Sequence, residues 1–342
     1  QGSDVVAHSA GILDIKTNIL PNADALFLTA IDPYGHELWR WTFPVNKPNQ
    51  QTEQLSPLSS RPAYTETENE LTVKANKRTF IFSKKDGQLK GVSVDNRKIS
   101  FANGPRFIGA RRADRSLDQF YNHDDEKAKE KARTYSEFPD AAVFTKLDVK
   151  EEGGNLILTA NYKLGNLDKA QWTIHPDGMA TLDYTYNFSG VVDLMGICFD
   201  YPEEQVLSKR WLGAGPYRVW QNRIHGTQYD IWENDYNDPI PGETFTYPEF
   251  KGSFADVSWM NIRTKEGTIS LTNETPDAYI GVYQPRDGRD RLLYTLPESG
   301  ISVLNVIPPV RNKVNSTDLC GPSSQPKWVN GPQTGRVIFR FM

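Results

Sequence analysis

The chain has little cysteine and little histidine: two cysteines and five histidines in 342 residues. Two cysteines cannot make the disulfide framework of a small secreted scaffold. Cys198 sits in the apolar run Leu194-Met195-Gly196-Ile197-Cys198-Phe199 and reads as a buried small hydrophobe, not as half of a bridge to Cys320. His225 lies between Ile224 and Gly226 with no second histidine nearby. No metal site is therefore expected, and no cofactor. No run of about 18 apolar residues occurs, so nothing spans a membrane. A net charge of -4 with no basic stripe argues against nucleic acid, whose phosphates need neutralising. Strand–helix alternation is missing throughout, which excludes an α/β barrel. The N-terminal Gln1-Gly2-Ser3-Asp4 lacks a basic and apolar signal region and reads as a cut end or a mature start. The compartment stays open, with a periplasmic or secreted setting favoured.

What is present is alternation of period two. Leu182, Tyr184, Tyr186 and Phe188 alternate with Thr181, Asp183, Thr185 and Asn187, and Leu156, Leu158, Ala160 and Tyr162 oppose Ile157, Thr159, Asn161 and Lys163. Val337, Phe339 and Phe341 share a face in a last strand. Further strands are expected near 71–75, 78–83, 88–95, 142–150, 168–174, 256–263, 268–273, 279–284, 292–296 and 301–307, with hairpin signals such as Lys85-Asp86-Gly87 and Pro176-Asp177-Gly178 between them. The fold class is all-β. One segment, 124–133, has good helix formers with acids first and bases last, and no apolar face, which predicts a solvated surface helix. Residues 46–69 are rich in Pro, Gln, Ser and Thr and read as a linker. It separates a β segment at 1–45, with strands at 12–19, 25–31 and 37–43, from a sandwich at 70–342.

The stretch from Trp211 to Trp259 carries the densest aromatic and polar mixture. Trp211-Leu212-Gly213-Ala214-Gly215-Pro216 is followed by Asn222-Arg223, Tyr229, Tyr247-Pro248-Glu249, Gly252 and Asp256-Val257-Ser258-Trp259. No apolar periodicity runs through its middle, so it reads as a long ordered loop, a kind of segment that often carries function.

These residues resemble the C-terminal β-sandwich of glycoside hydrolase family 2 β-galactosidases. There a Gly-x-Gly-Pro turn precedes an Asp-Arg pair, a Tyr-x-x-Pro-Gln-Glu-like segment and an Asp-Val-Arg-Trp strand start. Here Asn222 replaces the Asp, Tyr247-Pro248-Glu249 is a shortened third element, and Ser258 replaces the Arg. The resemblance implies a large two-sheet antiparallel supersandwich of the galactose-mutarotase-like kind, preceded by a partial immunoglobulin-like β domain. It further implies the non-catalytic C-terminal part of a β-galactosidase-like hydrolase, bracing an upstream catalytic barrel of the same polypeptide and forming one wall of its carbohydrate cleft. Two departures stand out. Where the family places a sugar-facing Trp on a late strand, this chain has Val303 in Ser302-Val303-Leu304-Asn305-Val306, which puts lactose-type specificity in doubt. After Gly104-Pro105-Arg106-Phe107 the family's Arg-Ala-Pro-Thr-Asp-Asn-like motif gives way to Arg111-Arg112-Ala113-Asp114-Arg115. Those arginines are solvated charge, contacts to an acidic sugar, or contacts to the barrel, the first being favoured.

A retaining glycosidase needs two carboxyl groups about 5–5.5 Å apart. The family carries both on its barrel, so no catalytic residue is expected in this chain. Asn69-Glu70 and Asn273-Glu274 read as surface residues. Sugar contact remains, through aromatic faces and through charged or amide side chains on hydroxyls. The residues expected to supply it are Trp232, Glu233, Asn234, Tyr247, Glu249 and Arg223, while Trp211 and Trp259 are assigned to packing. Two rivals stand beside this reading: a stand-alone carbohydrate-binding module, and an aldose epimerase, for which no histidine lies mid-strand beside a carboxylate.

Overall fold

A computed structural model describes residues 5–6, 8–13, 23–45, 60–112, 135–235, 252–282, 299–309 and 321–342. The chain divides into two compact units, Gln1–Gln51 and Thr52–Met342. In the first, β1 (Ala25–Ile31) and β2 (Glu37–Pro44) form an antiparallel hairpin. The Asp32 carboxylate closes its turn by accepting the N–H groups of Tyr34 and His36, each at 2.8 Å. The expected strand over 12–19 and the expected helix over 124–133 fall largely or wholly outside the described residues, as does the strand over 292–296.

The second unit begins with β3 (Ala63–Glu66), β4 (Glu70–Ala75), β5 (Arg78–Ser83), β6 (Leu89–Val94), β7 (Arg97–Ile99), β8 (Ala102–Arg112) and β9 (Tyr135–Glu137). It continues with β10 (Val143–Glu152), β11 (Asn155–Lys163), β12 (Leu167–Ile174), β13 (Ala180–Val192), β14 (Leu194–Asp200) and β15 (Val206–Gly215). The last are β16 (Gln228–Asp235), β17 (Trp259–Thr264), β18 (Gly267–Asn273), β19 (Tyr279–Val282), β20 (Ile301–Val306) and β21 (Lys327–Phe341). The only helices among the described residues are two three-residue 3₁₀ turns, Glu203–Gln205 and Pro322–Ser324.

The strands form two antiparallel sheets. One has nine strands in the order β10-β11-β12-β13-β21-β18-β17-β15-β16. The other has ten, eight of them in the order β19-β20-β14-β8-β6-β5-β4-β3, with β7 paired to β6 and β9 to β8. This is the expected large two-sheet supersandwich. The alternating residues lie as their period requires: Leu182, Tyr184, Tyr186 and Phe188 are buried on β13, Leu156, Leu158 and Ala160 on β11, and Val337, Phe339 and Phe341 on β21.

An aromatic cluster joins the sheets. Phe199 of β14 lies 6.0 Å from Trp172 of β12 and 5.5 Å from Phe339 of β21, both edge-on. Phe101, in the turn before β8, stacks on Phe199 at 4.6 Å and meets Phe339 at 5.1 Å. Such pairs add to the burial of ring area itself. A cation bond reinforces the joint: buried Arg78 of β5 donates from Nε to the Phe341 carbonyl of β21 at 2.8 Å.

Two expectations about irregular segments are corrected. Residues 63–66, placed in the linker, are a strand paired with β4. They were read as linker because a four-residue edge strand has too few positions to display a period. The stretch 211–259, read as one long loop, contains the end of β15, all of β16 and the start of β17. β16 is hydrogen-bonded to β15 on one side, and each of its faces mixes polar with apolar residues, so no alternation shows.

The joint sets the stability. Phe199→Ala should cost about 3–5 kcal/mol in urea unfolding, through the cavity left at the cluster's centre. Trp328→Ala, at a side chain that is 69% exposed, should change stability by no more than about 0.5 kcal/mol. Equal losses would show that the cluster does not hold the sheets.

Candidate functional site

A cleft of about 520 Å³ opens where the β5–β6 turn, β8 and β14 meet the first strands of the nine-stranded sheet. Its lining includes Lys85, Asp86, Arg106, Glu137, Phe138, Asp140, Phe144, Tyr162 and Cys198. The β5–β6 turn approaches closely because Gly87 has φ +71 and no side chain: a Cβ there would sit 2.7 Å from both Ala160 and Phe144. Segment 138–142 forms the opposite rim. The Phe138 N–H donates to the Gly109 carbonyl at 2.8 Å, and Asp140 Oδ1 accepts from the backbone N–H of Ala142 at 3.1 Å and of Asn166 at 3.2 Å. Both rims are thus tied to strands.

Arg106 stands at one end of the cleft. Its Nη2 donates to Asp200 Oδ1 at 2.7 Å and lies 3.7 Å from Cys198 Sγ. Asn103 Nδ2 donates to the other Asp200 oxygen at 2.6 Å. Burial works against the Arg106 charge, but the Asp200 hydrogen bond and the nearby negative charge outweigh it and raise its pKa. Burial raises the Cys198 pKa, with Arg106 pulling the other way, which favours the thiol over the thiolate. Burial also opposes ionisation of Asp86, yet Lys90 at 2.7 Å and the Gln88 N–H at 3.1 Å hold its carboxyl below the usual range. Tyr162 donates to the Asp86 carbonyl at 2.9 Å, and its pKa is raised by burial and by the charges of Asp86 and Asp140. Phe144 and Tyr162 meet edge-on with centroids 5.9 Å apart. Aromatic walls, an accessible arginine–carboxylate pair and unburied carboxylates make a cleft suited to a polyhydroxylated ligand.

Of the residues expected to contact sugar, the four described ones, Trp232, Glu233, Asn234 and Arg223, do not line this cleft. Trp232 and Asn234 share one face of β16 and Glu233 the other, as strand geometry demands. Trp232 packs against the main core, and its Nε1 donates to the Gln228 carbonyl at 3.0 Å. Its ring covers Gly215, where a Cβ would fall 2.4 Å from the indole. Arg223 is exposed in the turn after Trp220. Tyr247 and Glu249 lie outside the described residues. The packing assignment of Trp211 holds: it is fully buried, donates from Nε1 to the Ala214 carbonyl at 2.9 Å and meets Phe254 edge-on at 4.8 Å. Val303 is buried in the main core, so its side chain faces the sandwich interior and not a cleft. The sequence does not single out the cleft residues Arg106, Glu137 and Phe144 as contacts. The one available signal was Gly104-Pro105-Arg106-Phe107, where the sequence leaves the family pattern.

Beside the cleft, the outer face of β8, β14 and β20 is closed. Val219, Trp220 and Ala255 cover Ile108, Ala110, Leu194 and Leu304 in a second small core. Val219 and Ser253 exchange N–H···O bonds of 2.7 and 2.9 Å, and Gln221 donates to the carbonyls of Pro308 at 3.0 Å and Gln325 at 2.8 Å.

Comparison with known proteins gives one family: residues 74–308 match the family described as beta galactosidase small chain. No curated protein sequence matches the chain. Among solved structures, galactose 1-epimerase from Lactobacillus acidophilus NCFM is 9% identical with a TM-score of 0.45, covering 83% of this chain and 99% of that one. An aldose epimerase homologue from C. elegans is 7% identical with a TM-score of 0.38, over 82% and 99% of the two chains. A galactose mutarotase-like protein from Lactobacillus casei ATCC 334 is 11% identical with a TM-score of 0.35, over 82% and 100%.

The state of Cys198 is directly testable. The native chain at pH 8 should leave Cys198 unmodified by iodoacetamide over hours, and alkylation should go to completion in urea, as mapped by peptide mass spectrometry. Rapid native labelling would mean that the Arg106 charge outweighs burial.

Proposed function

The chain belongs to the beta galactosidase small-chain family, and on that premise we propose that it is the non-catalytic C-terminal part of a β-galactosidase-like glycoside hydrolase of family 2. In this reading the catalytic barrel lies upstream in the same polypeptide, residues 1–45 are the end of an immunoglobulin-like domain, and the sandwich braces the barrel. The sandwich also supplies a wall of sugar contacts. The observation that carries the sugar contact is the cleft at Arg106. Arg106 lines it, and Asp200, its partner just outside the lining, leaves hydrogen-bonding capacity on both side chains, 34% and 45% exposed respectively. A vicinal diol can span such a pair, donating to the carboxylate and accepting from the guanidinium. Phe138, Phe144 and Tyr162 supply apolar surface for C–H groups.

An epimerase would need a general acid and a general base across the ring. None of the described residues lining the cleft is a histidine, and the neighbouring sheet face is filled by Trp220. A glycosidase would need two carboxyl groups held about 5–5.5 Å apart for retention. In the cleft Asp86 is paired with Lys90 and Asp140 is oriented by backbone N–H groups on Oδ1, and Glu137 is exposed on the rim, so no pair of carboxyl groups is built there as retention requires.

Two measurements test the reading. The purified chain should release no nitrophenol from nitrophenyl β-galactosides, while methyl β-galactoside should bind in the millimolar range by ligand-observed NMR. Arg106→Ala should weaken that binding at least about ten-fold, one lost charged hydrogen bond. Turnover abolished by mutating one of the chain's own glutamates, or undiminished sugar binding by the Arg106 variant, would overturn it.

A further inference from the structure

The charges lining the cleft are unevenly spent. Three carboxylates, Asp86, Glu137 and Asp140, face two cations, Lys85 and Arg106. Asp86 is neutralised by Lys90 at 2.7 Å, and Arg106 by Asp200 at 2.7 Å. Asp140 takes backbone N–H groups, which orient it without cancelling its charge. Glu137 is exposed at the end of β9. It makes no ion pair among the described residues. Lys85, on the exposed turn, is the one lining cation not committed to a carboxylate among the described residues. Two uncompensated carboxylates therefore stand against one uncompensated ammonium.

From this balance we infer that the cleft discriminates by charge, favouring an amino sugar over a neutral one and rejecting a uronic acid, with Glu137 as the specificity-determining residue. The inference rests on the reading of this cleft as the sugar site. A sugar carboxylate would enter next to Glu137 and Asp140 and find its natural partner, Arg106, already paired. A sugar ammonium would approach the Glu137 carboxylate, which among the described residues carries neither a cation nor a backbone donor. Arg111, the described side chain of the arginine-rich stretch, does not line the cleft, whose β8 wall is residues 106–109.

The strength of such a preference is bounded by solvent. Exposed ion pairs contribute about 0.2–1 kcal/mol, which corresponds to roughly a 1.5- to 5-fold preference, and added salt screens it further.

The test uses the full chain and three probes: the methyl β-glycosides of galactosamine, galactose and galacturonic acid. Binding is followed by NMR titration at about pH 6, where the amine is protonated, and at low ionic strength. The expected order is galactosamine tightest by about two- to five-fold, then galactose, then galacturonic acid. Glu137→Gln should bring the amine and neutral glycosides level, and Glu137→Lys should place the uronide first, with all preferences shrinking at about 0.5 M salt. A uronide that binds as tightly as galactose to the unaltered chain, or an amine preference that survives in Glu137→Gln, would overturn the inference while leaving the cleft as a sugar site. Binding of none of the three would overturn both.

Discussion

The contact between Phe199 and the Trp172–Phe339 pair is the constraint on which the rest of this structure depends. Neither sheet can bury its apolar face alone, and each contributes rings at this point: Phe199 from one sheet, Trp172 and Phe339 from the other. Phe101 stacks into the same cluster from the turn before β8. Rings at these separations and tilts pack at interior density, so the sheets cannot slide without breaking several contacts together. Arg78, reaching from β5 to the Phe341 carbonyl of β21, adds a directional tie to a non-directional joint.

The cleft follows from that arrangement. β14 carries Phe199 inward and its neighbours Cys198 and Asp200 outward, because side chains alternate along a strand. The same strand thus builds the joint on one face and holds Arg106 on the other. A shift of β14 by one residue would exchange these roles, burying Asp200 and exposing Phe199. The aromatic joint therefore fixes the register that positions the arginine–carboxylate pair. The outer face farther along β8 and β14 is covered by Trp220 and Val219.

The sandwich was legible wherever a strand has one buried and one polar face. β11, β13 and β21 announced themselves through residues such as Leu158, Tyr184 and Phe339. β8 was not legible as a strand, because Phe107 faces the main core while Ile108 and Ala110 face the second small core, so both faces are apolar and no period appears. β16 failed for the opposite reason, with Ile231 exposed and Trp232 half-buried on an edge. The cleft was hidden more deeply. Arg106 and Asp200 are 94 residues apart, and Glu137 and Phe144 come from yet other elements, so only the strand order brings them together. The aromatic richness of 211–259 drew attention instead, and much of it serves packing: Trp211 and Trp220 are buried, and Trp232 covers Gly215.

Backbone amide shifts of the isotope-labelled chain titrated with methyl β-galactoside decide whether sugar meets this chain at the cleft or at β16. Perturbations should concentrate at 85–88, 106–109 and 137–144, with residues 223 and 231–235 unmoved. Perturbations centred on Trp232, Glu233 and Asn234 with the Arg106 region silent would contradict the cleft assignment.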